Sequence, residues 1–156
     1  MTLPLLLASG AIVAVLALAR ATVRVVTVRG PSMEPTLPSG SRVLALRRWP
    51  RRWLRRGHVV LLAGMRDAAA GAIVVKRVAR VGGQTVDVPA DRRDYERLDT
   101  FVPAPYRVRL APGEIYVLGD NAAGIDSRHW GPVAASAVVG LVLPRLAVRP
   151  AAGAEP

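Results

Sequence analysis

Ser32 and Lys76 are the two residues whose types could do covalent chemistry together. Ser32 stands in the stretch Gly30-Pro31-Ser32-Met33-Glu34-Pro35-Thr36-Leu37. Pro31 fixes its own φ, so the chain reaches Ser32 with little freedom. Met33 and Leu37 are apolar enough to pin the stretch to a core. A rigid, exposed turn can present a hydroxyl, but serine is a weak nucleophile until a base takes its proton. The same residue types also build ordinary turns, so the stretch gains chemical meaning only with a base elsewhere.

Lys76 is the one lysine among 22 basic residues, the others being arginine. A coding bias toward arginine replaces surface lysines. It does not replace a lysine whose amine must lose its proton, because arginine stays charged. Residues Ala72 to Val81 are rich in β-branched side chains and read as a strand. Alternation puts Val74, Lys76 and Val78 on one face and Arg77 on the other. Burial among valines disfavours the ammonium and lowers the pKa, which makes a lysine a general base near neutral pH. The plainer alternative is a lysine that snorkels to solvent at a strand edge.

Composition narrows the other routes. The sequence has no cysteine and only two histidines, His58 and His129. Thiol chemistry and disulfides are excluded, a histidine-built zinc site is disfavoured, and no cofactor is expected. A Ser/His hydrolase is weakly supported, because no nucleophile elbow surrounds Ser32. The net charge of +11 over 156 residues suits acidic partners, either anionic lipid or nucleic acid.

The elements that must position these residues are short. Leu3 to Ala19 is an apolar run at the lower limit for a membrane-spanning helix. It could extend past Arg20 to about Val28 through arginine snorkelling. No Lys or Arg precedes it, which favours a retained anchor over a cleaved signal peptide. Arg20, Arg24 and Arg29 follow it, and by the positive-inside rule alone they would place the rest of the chain in the cytoplasm. Arg47 to Arg56 interleaves arginines with Trp49 and Trp53. That pattern suits a membrane interface, a solvated loop or, less well, nucleic acid.

Strands are expected at Arg42 to Leu46, His58 to Ala63, Ala72 to Val81, Gln84 to Val88, Tyr106 to Leu110, Glu114 to Leu118 and Val138 to Leu143. Asp91 to Asp99 reads as a loop. Asp126 and Arg128 can pair and brace the loop that carries them. The expected organisation is an anchor over 1–28, a mainly β domain over 29–146 and a disordered tail over 147–156.

Three stretches, in this order, resemble the boxes of the type I signal peptidases. They are Gly30 to Leu37, Val75-Lys76-Arg77-Val78, and Gly119-Asp120-Asn121 with Asp126-Ser127-Arg128-His129-Trp130-Gly131-Pro132. The resemblance runs from the anchor to about Leu143, and the short Lys76 to Gly119 distance is similar to that in compact members such as the mitochondrial inner-membrane peptidases. It implies a signal-peptidase-like β catalytic domain on the extracytoplasmic side of the cell membrane, held by a single transmembrane helix, which reverses the orientation that the arginine count suggests. It implies Ser32 as nucleophile, Lys76 as its base, and Gly30, Pro31, Met33 and Val74 as oxyanion or substrate-binding positions. Arg77, Asp126, Ser127 and Arg128 would support the site. The substrate would be a preprotein or proprotein bound as an added β-strand and cut after small residues, with membrane lipid as the other partner and no nucleic acid. The sequence departs from the family at Gly124, where members carry a serine that orients the lysine amine; Ser127 is the nearest hydroxyl in sequence. Dedicated maturation of one partner protein, or peptide binding with weakened catalysis, are the alternatives.

Overall fold

The computed structural model describes Gly10, Val13, Ala14, Ala17 and residues 20–47, 49–65, 72–88 and 106–148. The strands among them are β1 (Val23–Thr27), β2 (Arg42–Leu46), β3 (Val59–Ala63), β4 (Ile73–Val81), β5 (Thr85–Val88), β6 (Tyr106–Arg109), β7 (Glu114–Leu118), β8 (Val133–Ala134) and β9 (Val138–Val148). One short helix, α1 (Ser127–Trp130), follows β7. A seven-stranded antiparallel sheet runs β1-β2-β9-β3-β4-β7-β8, and β5 pairs with β6 as a separate ribbon. The expected mainly β character is what the structure shows.

β3 explains the layering. Its run of Val59, Val60, Leu61 and Leu62 is buried on both faces. Val60 and Leu62 join Val78, Val117 and Leu141 in one cluster. Val59 and Leu61 join Met33, Leu37, Val43 and Val75 in another. Each fully buried aliphatic side chain contributes roughly 1.5–3 kcal/mol relative to exposure, so a strand feeding two cores fixes its register firmly. β4 lies against it with Lys76 opposite Val60.

The expected boundaries shift at both ends. Val23–Thr27 is a strand paired with β2, from Val23 opposite Leu46 to Thr27 opposite Arg42. The helical conformation therefore ends at Thr22, and the extension of the anchor to Val28 is corrected. The physical reason is the β-branched series Val23, Val25, Val26 and Thr27, which fits a pleated surface better than a helix. At the other end β9 continues to Val148, past the expected limit at 146. Most of Leu3 to Ala19, the loop Asp91 to Asp99, and residues 149–156 lie outside the described residues. Among those described, no helix is long and apolar enough to cross a membrane.

Candidate active site

The turn that carries Ser32 is closed by its own backbone. The Glu34 N–H donates to the Pro31 carbonyl at 3.0 Å and the Leu37 N–H to the Met33 carbonyl at 2.9 Å. Met33 and Leu37 are fully buried, so the segment is nailed to the core on both sides of a half-buried Ser32. Gly30 enters the turn with φ 84°, a left-handed conformation that favours glycine. Its N–H donates to Ser39 Oγ at 3.2 Å. Gly30 and Pro31 are exposed beside Ser32.

A second segment, residues 119–124, lies directly on this turn. The Asn121 N–H donates to the Ser32 carbonyl at 3.1 Å. A Cβ on Gly119 would come within 2.5 Å of the Ser32 carbonyl oxygen, and a Cβ on Gly124 within 2.9 Å of the Ser32 Cβ. Both positions require glycine for this approach. Gly124 is thus a contact surface for the serine rather than a vacancy. Ser127 Oγ is buried and accepts the Val117 N–H at 3.0 Å, which fastens the start of α1 to β7.

Asp126 is fully buried and caps α1. Its carboxylate accepts the Arg128 N–H at 3.0 Å, Arg128 Nε at 2.8 Å, Arg128 Nη2 at 2.6 Å and the Gly119 N–H at 2.9 Å. Burial alone would raise its pKa, but the bonds from Arg128 and Gly119 outweigh it and hold the carboxyl below its ordinary 3.8. Arg128 Nη2 also donates to the Gly124 carbonyl at 3.3 Å. One ion pair thereby holds both ends of the loop that touches Ser32.

Lys76 is 3% exposed. Burial is the largest influence on it and pushes its pKa down from 10.5. The Asp126 charge opposes that shift and the Arg128 charge assists it. Because Arg128 already pairs with Asp126, the carboxylate does not rescue the ammonium. Ser32 touches Gly119, Asn121 and Gly124, and the Asp126–Arg128 pair that holds this loop lies within electrostatic reach of Lys76. Val74, half-buried one turn of the pleat away, packs against the Val60 cluster.

Arg77, on the opposite face of β4, makes a bidentate pair with Asp120, Nε to Oδ1 at 2.7 Å and Nη2 to Oδ2 at 2.6 Å, and donates to the Gly57 carbonyl at 3.0 Å. Thr36 also hydrogen-bonds Asp120. This clamp joins the serine turn, the lysine strand and the 119–124 loop. Neither Asp120 nor Thr36 was singled out in the sequence; the signal available was a carboxylate directly after Gly119.

β4 has one more feature beside Lys76. β3 covers Ile73 to Arg77, whereas β7 pairs only from Arg77 to Val81. Among the described residues no strand pairs with the β7-side edge of Ile73 to Lys76. The two histidines are occupied elsewhere. His58 Nδ1 accepts the Arg55 N–H at 3.3 Å, and its ring meets Trp49 edge-on. His129 Nδ1 accepts the Asp126 N–H at 3.4 Å in the helix cap. Among the described residues no three His, Asp or Glu side chains are grouped to hold a metal.

The signal peptidase, peptidase S26, family model matches residues 3–106 and 91–146. The mitochondrial ATP-independent inner membrane protease subunit 1a of Arabidopsis thaliana is 33% identical over 122 residues, which are 76% of this chain and 67% of the relative. The mitochondrial inner membrane protease subunit 1 of Schizosaccharomyces pombe is 30% identical over 121 residues, 75% of this chain and 69% of the relative. Among solved structures, a signal peptidase I from Enterococcus faecalis V583 aligns with a TM-score of 0.41 at 22% identity, over 58% of this chain and 97% of that one.

Proposed function

The chain belongs to the signal peptidase family, peptidase S26, and is a serine peptidase of that type, and we propose that Ser32 and Lys76 are its catalytic dyad. The observation that carries this is the burial of the chain's one lysine on β4, within electrostatic reach of the Asp126–Arg128 pair that holds the loop touching Ser32. The neutral Lys76 amine takes the Ser32 Oγ proton as the oxygen attacks the scissile carbonyl carbon. The Ser32 N–H, presented by the Gly30-Pro31 turn, donates to the developing oxyanion, a preorganised interaction that is commonly worth about 3 kcal/mol. Collapse of the tetrahedral intermediate breaks the C–N bond, and the lysine proton goes to the leaving amine. Water, deprotonated by Lys76, then hydrolyses the acyl-enzyme, and the proton returns to Ser32.

The substrate is an extended preprotein segment that adds to the edge of Ile73 to Lys76 that no strand pairs with among the described residues. Main-chain bonds supply affinity and pockets for alternate side chains supply selectivity in such strand addition. Val74, half-buried on β4, is the lining position and small residues precede the cut, whereas the fully buried Met33 pins the serine turn to the core. Arg77, Asp126, Ser127 and Arg128 position the dyad without touching the reacting atoms. The apolar segment 3–19 anchors the protein in the cell membrane as a single pass, with the catalytic domain on the extracytoplasmic side. The relatives named above are inner-membrane proteases of mitochondria, which supports a membrane location.

The test is incubation of the detergent-solubilised chain with several unrelated preproteins, with products read by intact mass. A single cut after a small residue, lost in Ser32→Ala, is expected. Uncut preproteins, or a cut that survives Ser32→Ala, would overturn the reading.

A further inference from the structure

The segment between β2 and β3 takes no part in the chemistry above, yet it is organised. Arg47, Trp49, Arg51 and Arg52, with Val138 from β9, line a cleft of about 600 Å³. Among the described residues none of these three arginines has an acidic partner. Arg51 makes only a long bond, 3.4 Å, to the Ser136 carbonyl. The Arg52 guanidinium lies over the Trp53 ring at 5.2 Å, and Trp53, 48% exposed, meets Trp49 edge-on at 5.8 Å. The result is a cationic cleft with an exposed indole at its rim.

Its position matters as much as its charge. The Arg47 N–H donates to the Thr22 carbonyl at 2.7 Å, and Thr22 is the last helical residue before β1. The cleft therefore opens where the apolar N-terminal segment joins the sheet. Arg24, on β1, lies within electrostatic reach of Arg47 and adds to the same positive field.

We infer that this cleft binds the phosphates of anionic lipid headgroups, in the bilayer that the apolar segment enters, with Trp53 seated at the interface. The guanidinium fork matches phosphate oxygens bidentately, and an indole favours the headgroup level, where its ring is in apolar surroundings and its N–H is wet. Each arginine near an anionic surface strengthens the contact about fivefold. Interleaved Arg and Trp also suit nucleic acid, but an anion site adjoining an apolar segment meets lipid first. The inference rests on the anchor in the proposed function and is independent of the Ser32/Lys76 dyad.

The experiment places the full chain in phosphatidylcholine nanodiscs with increasing phosphatidylglycerol, some lipid being brominated high on the acyl chains, and reads tryptophan quenching. Quenching is expected to rise with phosphatidylglycerol, to fall by more than half in Trp53→Phe, where Trp49 still lines the cleft, and to lose its phosphatidylglycerol dependence in Arg51→Gln/Arg52→Gln. The exposed pair Arg55→Gln/Arg56→Gln lies outside the cleft and should retain most of it. Equal quenching in both lipids, or equal loss in the two double variants, would overturn the cleft. So would full competition by inorganic phosphate, or binding of an oligonucleotide in place of lipid by the same arginines. Release of the chain by alkaline carbonate would sink the anchor alone, and phosphatidylglycerol-dependent quenching would still support the cleft.

Discussion

Gly124 lies face to face with Ser32, so closely that a Cβ on the glycine would stand 2.9 Å from the serine Cβ. The loop that carries Gly124 is held by Arg128, whose guanidinium bonds both the Gly124 carbonyl and the Asp126 carboxylate. The serine is therefore positioned from outside its own turn. Neighbouring Asn121 adds a bond to the Ser32 carbonyl.

Gly124→Ser restores the hydroxyl that the family pattern carries, yet here it should impair the enzyme. The added Cβ forces Ser32 or the loop to move. A displacement near 1 Å at a reacting group costs about 10²-fold. We expect kcat to fall by roughly that factor while the melting curve shifts only as overpacking requires, about 1–3 kcal/mol. Preprotein cleavage rates beside thermal unfolding check it; unchanged kcat would show that the contact is not held in solution.

The pH dependence follows from Lys76. Burial lowers its pKa from 10.5, and in the proposed mechanism the active form is the neutral amine. Cleavage should therefore rise with pH through a midpoint below 10.5. Stability has a linked sign. The unfolded chain binds this proton more tightly, so the native state is destabilised below the folded pKa and regains stability as pH climbs from that value to 10.5. Lys76→Met should remove this rise, as read by denaturant unfolding across the alkaline range. A rate midpoint at or above 10.5 would contradict the burial argument.

Arg128→Met should be costly to the fold. It leaves the fully buried Asp126 carboxylate without its cation, and a broken buried pair of this kind costs about 3–5 kcal/mol. In the wild type the Asp126 carboxyl is held below 3.8. It therefore contributes stability that is present above 3.8 and lost as pH falls through the folded value. In the variant that acid dependence should weaken or reverse, and urea titrations at several pH values read both effects. A loss under about 1 kcal/mol, the range of exposed pairs, would mean that the pair is not buried in solution.

Arg77→Lys separates positioning from stability. The Arg77 and Asp120 side chains are 32% and 13% exposed, so solvent screens the pair and its loss should cost about 1 kcal/mol or less. A lysine cannot reproduce the bidentate fork, and the clamp between the serine turn, β4 and the 119–124 loop loosens. We expect kcat to fall severalfold with KM little changed. An effect confined to KM would place Arg77 in substrate binding instead.

The strands and the burial of Lys76 were legible in the sequence because each rests on local pattern. Period-two alternation identified β4 and the facing of Lys76, and the burial of Met33 and Leu37 followed from their apolar character within a proline-fixed turn. The Asp126–Arg128 pair was readable from its two-residue spacing, although not its burial. What stayed hidden depends on long-range packing. Asp120 meets Arg77 and Thr36 only after three segments assemble, and Gly124 gains its role from a serine far away in sequence. The start of β1 was also hidden. Val23 to Thr27 is as apolar as a helix end, and only pairing with β2 decides for a strand.

The most direct test of the account is Lys76→Arg beside the wild type, with preprotein cleavage followed by intact mass and folding checked by circular dichroism. Arginine keeps the charge and much of the volume but cannot give up its proton. The account predicts that Lys76→Arg folds and does not cleave, while the wild type cuts after a small residue. Cleavage by Lys76→Arg at the wild-type rate would show that Lys76 is not the base.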